Sequence, residues 1–257
     1  MARSSRELKR ISRDILNNRY SLPMGAFLTA WLIPTVIEIP FSMSLGEYPT
    51  NSQLIISCLA DFLIMLIGQV LAIGCLLIHL DMTRAKGFKL LTIFSPFRSG
   101  VERHFGACLL YDLLLVAACI PGIGATLWFY YTTPDGVSVA VLILCWIVSL
   151  FLCVTAALTY RLCFLLLLDN PQMKVLEAFK ECRRMMKGNK LRLFYIFMSF
   201  LGWYGLILCS FGIAALWVVP YMTQTLTTFY LDCTGELNRI PVRDYRNEPH
   251  TSFNLFF

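Results

Sequence analysis

The feature that most restricts this chain is a series of apolar runs, each about twenty residues or longer, separated by short charged segments. They lie at about 22–45, 54–80, 105–130, 137–168 and 191–233. About 20 apolar residues are what an α-helix needs to cross the hydrocarbon of a bilayer. Lipid offers no partner to open backbone groups, so a spanning segment is either a helix or a strand of a closed barrel. A barrel strand alternates apolar and polar residues, and these runs are continuous. Composition agrees: 57% of residues are hydrophobic and 15% charged, against about 25% charged in soluble domains. The expected fold is all-α, a polytopic membrane bundle.

The last run is too long for one span, and Ser210 with Gly212 offers a turn. Splitting it there yields spans at about 191–209 and 212–233, the latter bent at Pro220. Six spans then place segments 1–21, 81–104, 169–190 and 234–257 on one side. Every lysine and arginine except Arg161 falls in those segments or at an adjoining helix end. Such asymmetry marks the cytoplasmic side. Five spans would put Arg239, Arg243 and Arg246 outside. The expectation is a multi-pass cell-membrane protein with both termini cytoplasmic. It has a basic amphipathic segment at 1–21, a six-span domain at 22–233 and a tail at 234–257.

Two basic segments read as amphipathic helices. Near the N-terminus Ser4 and Glu7 fit a capping box, and Leu8, Ile11 and Ile15 form a stripe. In the segment 170–190, Asn170 suits a cap and Pro171 a first turn, with Gly188 as a left-handed stop. Val175, Phe179, Cys182 and Met186 recur on one helical face. Lys180, Arg183, Arg184 and Lys187 lie largely opposite, with Lys190 beyond. Such a helix can rest on a membrane surface, each cation near anionic headgroups contributing about 1 kcal/mol. The plainer alternative is a solvated helix packed on neighbouring loops. Expected partners are the bilayer and its anionic headgroups, with other membrane proteins as a further possibility. Phe88, Leu91, Phe94 and Phe97 suggest that the loop at 81–104 also hugs the membrane.

Charges inside spans are functional candidates by default. Glu38 and Asp61 fall at similar depth about the first outer loop, where two carboxylates can share a proton or bind a cation. Alternatively, Pro34 and Pro40 end the first span early and leave Glu38 at the interface. Asp112 and Arg161 also match in depth and suit an ion pair, with Arg161 snorkelling as the alternative. Cys75, His79, His104 and Cys108 form two i, i+4 pairs that can be drawn as a soft metal site, although cysteines and helix-end histidines of this kind equally suit plain packing. The ten cysteines lie in or beside apolar runs, without CxxC, and read as small hydrophobes. No GxxxxGK[ST], HExxH or GxSxG motif is present, so no catalytic residue is assigned and no cofactor is expected. The basic residues follow the topology and do not argue for nucleic acid.

Three motifs carry a family resemblance: Met186-Lys187-Gly188-Asn189-Lys190, Ser199-Phe200-Leu201-Gly202-Trp203, and Pro220-Tyr221 followed by Phe229-Tyr230. Together with the N-terminal RELKRISRDIL they resemble a bacterial membrane family catalogued as domain of unknown function 975, best over about 160–232 and the N-terminal helix. Two features depart from its pattern: Cys182 stands where serine is expected, and IPGIGATLWFYY with the following span is arranged differently. The resemblance implies a polytopic inner-membrane protein and no activity. Three readings stay open: a non-enzymatic protein acting through lipid or protein association, a transporter or channel-like component using the intramembrane acids, and a membrane-embedded enzyme.

Overall fold

The computed structural model describes residues 3–44, 50–87, 89–132 and 135–239. Among them every regular element is helical. The chain begins with α1 (Ser5–Leu16), capped by Ser4, whose side chain accepts from the Glu7 N–H. The expected reciprocal half of the capping box is missing, because the Glu7 carboxylate turns to Arg3 at 3.5 Å. Helix α2 (Ser21–Ser44) stays helical through Pro34 and Pro40. It packs on α3 (Asn51–Thr83), where Gly68 makes room for the Pro34 ring: a Cβ there would sit 3.3 Å from Pro34 Cγ. At the start of α3, Thr50 and Gln53 form a full capping box. At 33 residues α3 is about 50 Å long, well over the ~30 Å of bilayer hydrocarbon.

After α3 the chain makes a 3₁₀ turn (Leu90–Phe94) and the single-turn helix α4 (Ser95–Arg98). The turn presses Ile93 onto α3 so closely that a Cβ on Gly74 would lie 2.0 Å from the Ile93 carbonyl oxygen. Only glycine fits that approach. Leu91 stays exposed while Phe94 and Phe97 pack on the core; Phe88 lies outside the described residues. Helices α5 (Val101–Tyr131) and α6 (Gly136–Tyr160) form an antiparallel hairpin. Pro121 interrupts the bonding of α5, and the Gly122 N–H donates across to Ser149 Oγ at 2.8 Å. That satisfies in trans a backbone group that lipid would leave bare.

The remaining helices are α7 (Cys163–Asp169), α8 (Val175–Met185), α9 (Lys190–Met198), α10 (Leu201–Cys209) and α11 (Ala215–Cys233). The expected fourth span is thus broken at Arg161–Leu162 and the fifth at Ser199–Phe200. Helix α8 begins later than expected. Asn170 instead ends α7, its side chain donating to the Leu166 carbonyl, and the Glu177 carboxylate caps α8 by accepting from the Lys174 N–H. Gly188 adopts φ +90°, as a left-handed stop requires.

Five helical stretches are long and apolar enough to cross a membrane: Ser21–Met43, Asn51–Thr83, Val101–Tyr131, Gly136–Asp169 and Lys190–Cys209. Helix α11, the expected sixth span, is not among them, because Thr223, Gln224, Thr225, Thr227 and Thr228 interrupt its apolarity. Those residues are tolerated because α11 is the interior helix, wrapped by α1, α2 and α3. Gln224, Thr225, Thr227 and Thr228 are fully buried. The four threonine hydroxyls donate to the carbonyl one turn back. Most apolar side chains left uncovered belong to α2, the first half of α3, α5, α6, α9 and α10, a surface suited to lipid rather than water.

Candidate functional site

One end of the bundle gathers α1, α8, the end of α3 and the end of α11, and with them most of the basic residues. Arg84, which caps α3, is its hub. Its guanidinium donates to Asp169 through Nη1 at 2.6 Å and Nη2 at 3.0 Å. It donates to Glu236 through Nε at 2.7 Å and Nη2 at 2.6 Å. Tyr230 adds a 2.6 Å hydrogen bond from its hydroxyl to Asp169 Oδ2. Burial alone would lower the Arg84 pKa, but the hydrogen bonds and charges of Glu236 and Asp169 outweigh it and raise it. A planar guanidinium holding two carboxylates at once fixes orientation as well as distance. Nearby, Arg103 donates to the Leu167 carbonyl near the end of α7 and to those of Asn170 and Pro171 just beyond it. Arg192 meets the 2%-exposed Asp232 side chain and the Arg3 carbonyl, tying α1, α9 and α11 together. The first and last described residues therefore lie at the same end.

One turn further into the bundle, the helices joined by Arg84 wall a cavity of about 430 Å³. It lies between α2, α3, α5, α7 and α11, and residues such as Phe27, Trp31, Ile73, Leu76, Phe164 and Leu226 make most of its lining. Its polar lining comes from Gln69, His79, Tyr111, Arg161 and Thr223, with the Cys75 thiol beside them. His79 is 2% exposed and its Nδ1 lies 2.9 Å from Gln224 Oε1. Gln224 Nε2 donates to Thr83 Oγ1, which in turn donates to the His79 carbonyl. This order of donors places a hydrogen on His79 Nδ1. A polar chain thus runs from the cavity wall along α3 to Thr83, the residue before Arg84.

The residues singled out from the sequence divide among these places. Arg161 caps α6 at the break and lines the cavity. Asp112 does not line it. Its carboxylate accepts from Gln69 Nε2 at 3.0 and 2.9 Å, and no ion pair joins it to Arg161. Arg161 and Tyr111 instead line the same cavity. Glu38 and Asp61 are both exposed, away from the cavity. His79 turns to Gln224, while buried His104 has no hydrogen-bond partner on either nitrogen among the described residues. Cys108 is buried and Cys75 partly so. Among the described residues no three His, Cys, Asp or Glu side chains converge as metal ligands would. On α8 the apolar residues Ala178, Phe179, Cys182 and Met186 are buried in the protein core, so that face is not free to lie in lipid. Lys180, Arg183, Arg184 and Lys187 are exposed and Lys190 partly so. The Arg84 hub was not singled out from the sequence, since its partners lie 85 and 152 positions away.

The family model described as "protein of unknown function (DUF975)" matches residues 1–236. The chain belongs to that family. No curated protein matches it, and no solved structure does. The motif residues have identifiable places in the fold. Tyr221 packs edge-on against Phe200 and Trp203, at centroid distances of 5.1 and 6.2 Å. Phe229 lies under the Arg192 guanidinium, 5.2 Å from ring centroid to Cζ, and Tyr230 holds Asp169. Cys182 donates its thiol hydrogen to the Thr159 carbonyl at 3.1 Å. Burial pushes that thiol up to about 12, which keeps it a donor, the same role a serine hydroxyl would fill.

Proposed function

We propose that this is a non-enzymatic bacterial cell-membrane protein, with both termini cytoplasmic, that acts by holding anionic lipid headgroups against its basic end. One observation carries the reading: the two faces of α8 have separate tasks. Its apolar face is engaged with the protein core. Lys180, Arg183 and Lys187 are exposed and form no ion pair or hydrogen bond with any described residue, while Arg184 has a local pair with Glu181. Arg6, Arg10 and Arg13 of α1 are exposed at the same end. Folding needs α8's apolar stripe and leaves Lys180, Arg183 and Lys187 unused, and cations at a membrane surface attract anionic lipid at about 1 kcal/mol each.

The test is thermal unfolding in detergent micelles doped with anionic or zwitterionic phospholipid. Wild-type protein should be stabilised more by the anionic lipid, as any ligand of the native state stabilises it. The variant Lys180→Gln/Arg183→Gln/Arg184→Gln/Lys187→Gln should lose that difference while keeping its melting temperature in plain detergent. An undiminished anionic preference in the variant would overturn the proposal.

A further inference from the structure

We infer that the cavity behind Arg161 is a binding site for a single long-chain carboxylate, a fatty-acid-class amphiphile. Its carboxylate would meet Arg161 and Tyr111, and its chain would lie along the apolar wall. This site is separate from the α8 surface and does not depend on the reading given above.

The argument starts from the break. Arg161 ends α6 inside an apolar stretch of 34 residues, roughly two turns before Asp169. A cation at such depth is costly unless paired or solvated. Yet no carboxylate of a described residue lies within ion-pairing distance of it. The partner expected from the sequence, Asp112, accepts from Gln69 and stands outside the lining. The cavity therefore presents one cation with a phenol beside it and no lining carboxylate. An acceptor anion complements that wall, and the guanidinium fork suits a carboxylate.

Size and lining narrow the class. About 430 Å³ lies in the ~300–1,000 Å³ range of small-ligand pockets. The rest of the wall is chiefly Pro, Phe, Ala, Trp, Ile, Leu and Val, which suits an alkyl chain. One further polar atom is unexplained: Gln69 Oε1 is buried without a donor, although Gln69 itself lines the cavity. A water carried in with the carboxylate supplies the missing donor. The walls are held apart by groups already described. Arg84, Asp169 and Tyr230 pin α3, α7 and α11 about one turn beyond His79, Phe164 and Leu226, so the space is framed rather than left to collapse.

Trp31 lines the cavity and reports on occupancy. A form keeping Trp31 alone (Trp128, Trp146, Trp203 and Trp217 each changed to Phe) is placed in zwitterionic nanodiscs and titrated with a long-chain fatty acid brominated on its chain. Saturable quenching is expected, weakened about tenfold or more by Arg161→Gln, as expected when a charge-assisted hydrogen bond is lost. Ala72→Phe, which fills the cavity and leaves Arg161 in place, should also abolish saturation. Linear quenching of equal slope in all three forms would be simple partitioning into lipid and would overturn the inference. Saturable quenching unaffected by both substitutions would overturn it too, as would a brominated lysophospholipid that competes better than the carboxylate. The lipid dependence of the α8 variant is measured separately, so failure of one proposal leaves the other standing.

Discussion

Two spans of this protein are broken, and they are mended differently. At Ser199–Phe200, the Trp203 N–H bonds to the Phe200 carbonyl instead of that of Ser199. The freed Ser199 carbonyl accepts from Lys9 Nζ of α1 at 3.0 Å. The same ammonium sits 3.9 Å from the Phe200 ring centroid, and Phe200, Trp203 and Tyr221 fill the surrounding space. At Arg161–Leu162 the carbonyl of Thr159 accepts from Cys182 of α8, but the space beside the break is left as a cavity. In both cases a basic-end amphipathic helix supplies the missing donor, as lipid cannot. The difference lies in what occupies the inner side: aromatic rings at one break, a guanidinium facing empty volume at the other. Helix interruptions that line a cavity are where membrane proteins place binding groups, whereas a plugged interruption serves packing.

The largest effect should come from the ionic hub beneath the open break. Arg84→Met leaves Asp169 and Glu236 without their shared cation; the three groups are only partly buried, so the cost is about 3 kcal/mol, the low end for breaking a buried pair. A large drop in melting temperature in detergent is expected, together with loss of saturable Trp31 quenching as the cavity walls lose their spacing. Retained quenching in a folded variant would show that the open break stands without the hub.

The plugged break should be the next most sensitive. Lys9→Met keeps the aliphatic stem but removes the donor to Ser199 and the cation over Phe200, a loss of about 1–3 kcal/mol. Quenching at Trp31 should be unchanged, because Lys9 does not line the cavity. A change there would mean that the two breaks are coupled.

A smaller effect separates chemistry from volume at the open break. Cys182→Ala removes the donor to Thr159 and should cost about 1 kcal/mol, a thiol being a weak donor. Cys182→Ser restores a donor and should lie close to wild type. If serine is as damaging as alanine, the site requires sulfur's size rather than a hydrogen bond.

The smallest effect is a pH dependence at the plugged break. Burial, with a contribution from Arg13, lowers the Lys9 pKa below 10.5. In the window between the folded value and 10.5 the unfolded chain binds more protons, so stability rises with pH there. Melting temperatures taken towards pH 10.5 should show a slight upward contribution in wild type that Lys9→Met lacks. A downward contribution would contradict the burial of this ammonium.

The legible and illegible parts of this chain follow from the range of the forces involved. Long apolar runs, Ser4 with Glu7, and the Val175–Met186 stripe are local patterns, each carried by one segment of the chain. Both helix breaks escaped notice, because Arg161–Leu162 and Ser199–Phe200 carry no proline or glycine at the break itself. They persist because a side chain from α8 or α1 takes the freed carbonyl. The same applies to Asn170, which has the chemistry of an N-cap and serves instead at the end of α7.

The amino-acid order alone determined that this protein is a helical membrane bundle with its positive charge gathered at one end. Apolarity and charge act on the bilayer one segment at a time, and no neighbour is needed to read them. Tertiary structure decided that the polar α11 is the interior helix, that Arg84 clasps Asp169 and Glu236 across the bundle, and that Arg161 faces a cavity while Lys9 closes a gap. Each of those outcomes depends on which helix lies beside which, and that is set by packing among segments far apart in the chain.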